Sequence, residues 1–320
     1  MGSSSSRSVS RYNMTAQDIV NECGENSNAK NLHILVTGAT SGIGIETSRI
    51  LALAGAKVYL MGRSETKLQQ VLENINKELQ EKSSSGSVQG VICDLNSFAS
   101  IKQFAEKFTK ENTPLNILIL NAGVFIYNFA QTVDGLEQVM GLNHFGHAYL
   151  TQLLMPTLIA NAPSRIVIVS SKYHAGPPLN YQALDHMSSK GNDAEKGWGM
   201  LRSYQQSKLA NLLFARALAS RYNDKQVTVY SLHPGLIDTN LTSGIPLASV
   251  VKLFVCNKTV EQGAATTVYC ALKPGLEKES GRYFNDSSVT NLADKWTEND
   301  INTFWEWTEK VIRERTANLS

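Results

Sequence analysis

Short apolar runs that suit buried strands alternate along this chain with longer segments of helical period, and few folds tolerate that alternation. The runs occupy residues 32–36 (LHILV), 57–61 (KVYLM), 88–93 (VQGVIC), 115–120 (LNILIL), 165–170 (RIVIVS), 227–232 (VTVYSL) and 281–285 (GRYFN). Between them lie segments of helical period at 42–54, 65–81, 98–110, 136–159 and 201–222. A strand that is apolar along its whole length needs cover on both faces, and crossover helices supply it. The pattern predicts an α/β fold with a parallel sheet of about seven strands and helices on both faces. No repeat or linker divides the body, so residues 31–316 are expected to form one domain behind a flexible polar tail, 1–30, with a helical turn or two at its apolar-periodic piece, Thr15 to Val20.

Composition narrows the partners. The 320 residues are 42% hydrophobic and 18% charged with a formal net charge of +2, enough apolar mass for a core and no excess of charge for nucleic acid. Cys23, Cys93, Cys256 and Cys270 are scattered, none in a C-x-x-C pair, so reduced thiols are expected and no metal site. No apolar stretch reaches the roughly 18 residues of a membrane span, and the N-terminus has no signal-peptide core, which leaves a cytoplasmic protein as the default. Met1-Gly2 with Ser6 fits the acceptor pattern for N-myristoylation and reads equally as a Ser-rich tail. Peripheral membrane association is expected only if Gly2 is acylated.

The first strand runs into Thr37-Gly38-Ala39-Thr40-Ser41-Gly42-Ile43-Gly44, which opens a helix. Glycines permit the sharp turn and the close approach of a pyrophosphate, and the helix N-terminus presents free N–H groups to it. In this strand–turn–helix setting Gly38, Thr40, Ser41, Gly42, Ile43 and Gly44 are expected to cradle a dinucleotide, which makes the sheet Rossmann-type and doubly wound. A carboxylate at the end of the second strand would accept the ribose hydroxyls of NAD. Leu60-Met61-Gly62-Arg63 offers none, and Arg63 suits a 2′-phosphate, so NADP is expected over NAD.

Tyr204 and Lys208 lie four apart in an expected helix, on one face. An ammonium beside a phenol favours the phenolate, so the pair is a minimal acid/base device, although such pairs also occur as solvated neighbours. Ser171 falls at the carboxyl end of the fifth strand, in the crevice where such sheets bind ligands, and its hydroxyl could bond a developing alkoxide. Asn143 is a polar amide in a long apolar helix, explained either by a role in the site or by local hydrogen bonding at a helix irregularity.

Thr37 to Gly44 has the spacing TGxxxGxG, and with Asn143, Ser171, Tyr204 and Lys208 in this order the chain resembles the short-chain dehydrogenase/reductase family over about residues 32–290. The resemblance implies a hydride transfer between a nicotinamide cofactor and an alcohol or carbonyl. Tyr204 would be the general acid/base, and Lys208 would lower its pKa and hold the nicotinamide ribose. Ser171 would position the substrate oxygen, and Asn143 would anchor a water of the proton relay. It further implies cofactor contacts at Asp94-Leu95, at Asn121-Ala122-Gly123 and at Pro234-Gly235 with Ile237 and Thr239. The usual first Asn before Asn121 is Leu120 here, and without the family each of these segments reads as an ordinary strand-end turn.

Tyr204 stands 33 positions after Ser171 (204 − 171), and that long connection, with LDHMSSK inside it, resembles the retinol dehydrogenase-like branch. Residues 261–270, 282–285 and 15–20 resemble the dehydrogenase domain of WW-domain-containing oxidoreductases, whose WW modules have no counterpart because no Trp precedes the first strand. Residues 240–258, with the apolar segment 245–254, sit where the family places its substrate lid, which implies an apolar substrate such as a retinoid, steroid or lipid aldehyde. Relatives often pair through the helices here at 201–222 and 260–271, which suggests a homodimer. The rival reading is a cofactor-binding redox-sensing scaffold without turnover, against which the intact Tyr204/Lys208 pair speaks.

Overall fold

The computed structural model describes residues 11–24, 29–126, 128–190, 200–237, 258–292 and 295–319. In chain order the elements are α1 (Ala16–Cys23), β1 (His33–Thr37), α2 (Gly42–Leu53), β2 (Lys57–Gly62), α3 (Glu65–Glu81), β3 (Ser87–Ile92), α4 (Phe98–Lys110) and β4 (Ile117–Leu120). There follow α5 (Gln138–Met140), a π-helical turn (Gly141–Gly146), α6 (His147–Ala160), β5 (Ser164–Val169), α7 (Tyr181–Lys190), α8 (Met200–Tyr222), β6 (Val227–His233), α9 (Val260–Leu272), β7 (Tyr283–Asn285), β8 (Ser288–Thr290) and α10 (Glu298–Thr316).

The strands form one sheet in the order β3-β2-β1-β4-β5-β6-β7-β8, parallel except for the β7–β8 pair. One face is covered by α4, α6, α8 and α10 and the other by α1, α2, α3 and α9. Phe98, Phe214, Phe284 and Phe304 are fully buried between the layers, each stabilising the fold by about 1.5–3 kcal/mol over exposure. The amphipathic helices show how sequence and packing agree. In α3, Ser64 caps the N-terminus by accepting from the Lys67 N–H, and Leu68, Val71, Ile75 and Leu79 fall on one buried stripe. β1 lies between β2 and β4, where the strand order reverses. The connections leaving β1 and β4 therefore part to opposite faces and open a crevice at the carboxyl edge.

The fold class is as expected, with differences that have physical reasons. There are eight strands, not about seven: β8 returns through a two-residue turn in which Asp286 and Ser287 both have positive φ, at 49° and 53°. Its three residues carry one apolar side chain, Val289, and that one is exposed. β3 is a sheet edge with Ile92 half exposed, not a strand buried on both faces. The helix expected at 136–159 is broken by the π-helical turn.

Of the expected tail, Ala16–Cys23 form a packed helix. Thr15 and Asp18 make a reciprocal capping box, and Ala16, Ile19 and Cys23 are buried on the face that carries α9. The C-terminal α10, beyond the last expected strand, has its own capping box at Thr297/Asp300 and buries Phe304, Trp307, Val311 and Ile312. These two additions bear on the expected dimer. α10 lies against α8, with Trp305 stacked on Phe214 and under the Arg221 guanidinium, while α1 lies on α9. Flanks of both helices proposed to pair are thus covered by the chain itself. Cys23, Cys93 and Cys270 are buried free thiols. Among the described residues no helix is long and apolar enough to cross a membrane.

Candidate active site

Main chain shapes the β1–α2 side of the crevice. Gly38 has φ +66°, and a Cβ there would stand 2.8 Å from the Ala122 Cα. At Gly44 it would run into the Gly38 carbonyl. The turn therefore packs directly on the segment leaving β4, and only glycine fits. Ser41 precedes α2 without a side-chain cap, so the N–H groups of the first turn are free for an anionic group. Glycine packing and an uncapped helix N-terminus together fit a pyrophosphate. Arg63 is exposed immediately past β2. The Asp94 carboxylate accepts from the Asn96 N–H and Nδ2, each at 3.0 Å, in a tight turn beside buried Leu95.

The segment after β4 is tied to β1 rather than left open. The Thr37 hydroxyl accepts from the Asn121 and Ala122 N–H groups at 2.9 and 3.0 Å, and Asn121 Nδ2 donates to the Thr37 carbonyl at 2.9 Å. Asn121 thus acts as a brace between strands. Gly123 lies where a Cβ would approach Lys208 Nζ to 3.4 Å and Asn143 Oδ1 to 3.6 Å.

Four expected catalytic residues converge next to it. Asn143, fully buried, lies in the π-helical turn, a distortion common at functional sites. Its Oδ1 accepts from the Val124 N–H at 2.8 Å, and its Nδ2 donates to the Val124 carbonyl at 3.1 Å and to Ser207 Oγ at 3.0 Å. Ser207 in turn donates to the Tyr204 carbonyl at 2.8 Å. Ser171, two residues past β5, accepts from the Tyr173 N–H at 3.3 Å and sets its hydroxyl beside the Tyr204 phenol, where it favours the phenolate. The Tyr204 ring is held edge-on by Phe125 at 5.0 Å and by Tyr173 at 6.1 Å. Lys208 Nζ is 5.5 Å from the Tyr204 ring centroid and donates to the Val169 carbonyl at 3.1 Å.

One expectation is corrected by this geometry. Burial pushes the Tyr204 phenol above its ordinary range, with the Ser171 hydroxyl acting against it, and Lys208 is not a cause of any lowering. Burial brings the Lys208 amine itself down to about 8. Both groups are almost wholly enclosed, and desolvation disfavours the charged form of each.

Gly235, with φ +104°, follows Pro234, and Ile237 packs on Gly263 of α9 and bridges to Lys258, which places that loop over the phosphate turn near Ile43. Thr239, most of the expected lid (240–257), Cys256 and Gly2 lie outside the described residues.

Two buried polar residues were not anticipated. Glu137, 4% exposed, accepts from the Val139 and Met140 N–H groups at 3.0 and 2.8 Å and bonds Ser203, the neighbour of Tyr204. Burial raises its carboxyl to about 7. His147, 1% exposed, bridges the Thr37 hydroxyl and the Asn143 main chain. Their partners, Ser203 and Thr37, are distant in sequence, and no local pattern joins either residue to the site.

Comparison with known proteins adds an independent line. The chain matches the short chain dehydrogenase family over residues 32–183. It is 36% identical to human WW domain-containing oxidoreductase over 90% of this chain and 69% of that protein. With human retinol dehydrogenase 14 it shares 35% identity over 87% of this chain and 85% of the relative. Among solved structures, an uncharacterized protein from Mycobacterium paratuberculosis superimposes with a TM-score of 0.67 at 27% identity, over 88% of this chain and 94% of that one.

Proposed function

The chain belongs to the short-chain dehydrogenase/reductase family and is an oxidoreductase acting on CH–OH groups, and from that premise we propose that it interconverts an apolar alcohol and its carbonyl with NADP(H). The observation that carries the reading is the enclosed Tyr204 phenol, with the Ser171 hydroxyl beside it and Lys208 Nζ 5.5 Å from its ring, at the carboxyl ends of β5 and β4. Gly38, Gly42, Ile43 and Gly44 would hold the dinucleotide, which would supply or accept the hydride exchanged at the substrate carbon. Tyr204 gives its phenolic proton to the carbonyl oxygen in reduction and takes it back in oxidation. Ser171 holds the same oxygen through its hydroxyl. Lys208, its amine at the Gly123 edge, is read as holding the nicotinamide ribose, and Asn143 as ordering the water that reprotonates the phenol.

An apolar substrate is supported by what surrounds the phenol: Phe125, Val139, Val124, Ile126, Tyr173 and Leu201 pack as one cluster with Tyr204. The same reading keeps residues 240–258 as the lid, on their apolar sequence alone. Preference for the phosphorylated dinucleotide rests on exposed Arg63 past β2 and on a strand end, Leu60-Met61-Gly62, that carries no carboxylate. The deciding assay is NADPH oxidation against a panel of apolar aldehydes and ketones. Tyr204→Phe is expected to lower kcat by about 10³-fold with cofactor affinity kept. Negligible rates in both proteins, with tight cofactor binding, would instead indicate a redox-sensing scaffold. Arg63→Ala is expected to weaken NADPH about tenfold and NADH hardly at all; equal weakening would remove the preference.

A further inference from the structure

His147 begins α6 one residue after the π-helical turn, fully enclosed, and plays no part in the mechanism above. Its hydrogen-bond partners determine its protonation. Nδ1 lies 3.1 Å from the Asn143 carbonyl oxygen, which can only accept, so Nδ1 carries the proton. Nε2 then offers a lone pair, and the group 2.9 Å from it is Thr37 Oγ1, which must donate. The same answer follows from the threonine. Its two lone pairs are taken by the Asn121 and Ala122 N–H groups, so its proton is what remains to share. The other acceptor within reach, the Ile119 carbonyl, is farther away at 3.4 Å. Burial brings the imidazole down to about 3, which favours the same neutral form that the hydrogen bonds require.

The bonds form one continuous path. It runs from the N–H groups of Asn121 and Ala122 to the Thr37 hydroxyl, on to Nε2, and from Nδ1–H to the Asn143 carbonyl. The Asn143 side chain returns to Val124. The turn carrying Asn143 is thereby tied at its main chain and at its side chain to residues 121–124, the floor of the cofactor crevice. We infer that His147 is a positioning residue for the dehydrogenase reaction: as the neutral Nδ1–H tautomer it locks the Asn143 turn to the Thr37 hydroxyl, so that the cofactor floor and the catalytic turn hold one geometry. This rests on the reading of Asn143, Ser171, Tyr204 and Lys208 given above.

Three substitutions separate the two halves of the link. Asn places an amide N–H near the Nδ1 position, Gln places an amide oxygen near the Nε2 position, and Phe keeps the ring volume alone. The readouts are NADPH affinity by fluorescence titration, kcat, and melting temperature. His147→Phe is expected to lose about tenfold in cofactor affinity and about tenfold or more in kcat, the loss that follows when buried hydrogen-bonding groups lose their partners. His147→Asn should recover most of kcat with affinity still weak, and His147→Gln should recover affinity with kcat still low. If Phe does not fold, the opposite responses of Asn and Gln carry the test by themselves. Equal losses in all three, or wild-type behaviour in Phe, would overturn the inference and leave His147 as packing. Full activity in Tyr204→Phe would defeat the reading of the catalytic residues instead. The affinity measurements need no turnover and would still report on the Thr37 link.

Discussion

On the β1–α2 side the crevice is lined by main chain: glycines with no room for a Cβ and a helix N-terminus with no side-chain cap. On the opposite side stand the enclosed Tyr204 and Lys208 of α8, backed by two further buried titratable groups, Glu137 behind Ser203 and His147 behind Asn143. A surface made of N–H groups offers the same face to an anion at every pH. A surface made of buried ionisable groups changes with protonation, and its desolvation cost is borne by the fold. The comparison teaches that cofactor binding and catalysis here respond to different perturbations, steric on one side and electrostatic on the other.

The largest effect tests the titratable side. Glu137 has its carboxyl raised to about 7 in the fold from an ordinary 4.5. Its neutral form is therefore favoured by folding. The associated stability is fully present below about pH 4.5 and is lost as pH rises through 7, about 3 kcal/mol in all. Glu137→Gln, which cannot ionise, should match the wild type near pH 4.5 and exceed it by about 3 kcal/mol above pH 7.5 in chemical denaturation. Parallel curves would show that the carboxyl is not desolvated as described. Lys208, brought down to about 8, carries the opposite sign: its stability is present above its ordinary 10.5 and lost as pH falls through 8.

The main-chain side yields to a methyl group. Gly44→Ala sets a Cβ against the Gly38 carbonyl, strain of about 1–3 kcal/mol. Cofactor affinity should fall about 10- to 100-fold, with the pH dependence of stability unchanged. A shifted pH dependence would mean that the two sides are not separable. The smallest effect lies away from both. Thr15→Ala removes the cap of α1 and should cost about 1 kcal/mol in thermal or chemical denaturation with kcat intact; an altered kcat would tie α1 to the site.

Legibility followed the same division. TGxxxGxG could be read directly because a turn that excludes Cβ atoms leaves glycines at fixed spacing. Tyr204 and Lys208 were legible as a pair four apart on a helix, and Ser171 as a hydroxyl at a strand end. The electrostatics were not, since burial reversed the expected lowering of the Tyr204 phenol. Glu137 and His147 escaped notice because their partners, Ser203 and Thr37, are 66 and 110 residues away (203 − 137 and 147 − 37), and no local pattern links them. β8 was not legible, and α1 only as a helical turn or two, for a simpler reason. Each is short, and each is stable only through what it packs or pairs with.

Alternation of apolar strands with amphipathic helices determined the α/β class, and the spacing of glycines, Ser171, Tyr204 and Lys208 determined where the crevice lies and which groups meet in it. These are local properties, fixed by periods of two and 3.6 residues and by the conformations glycine permits. Tertiary structure alone decided how enclosed those groups are, which tautomer His147 holds, and which helices the chain covers with its own ends. Burial and hydrogen-bond partnership come from segments far apart in sequence, and they set the energy of a charge.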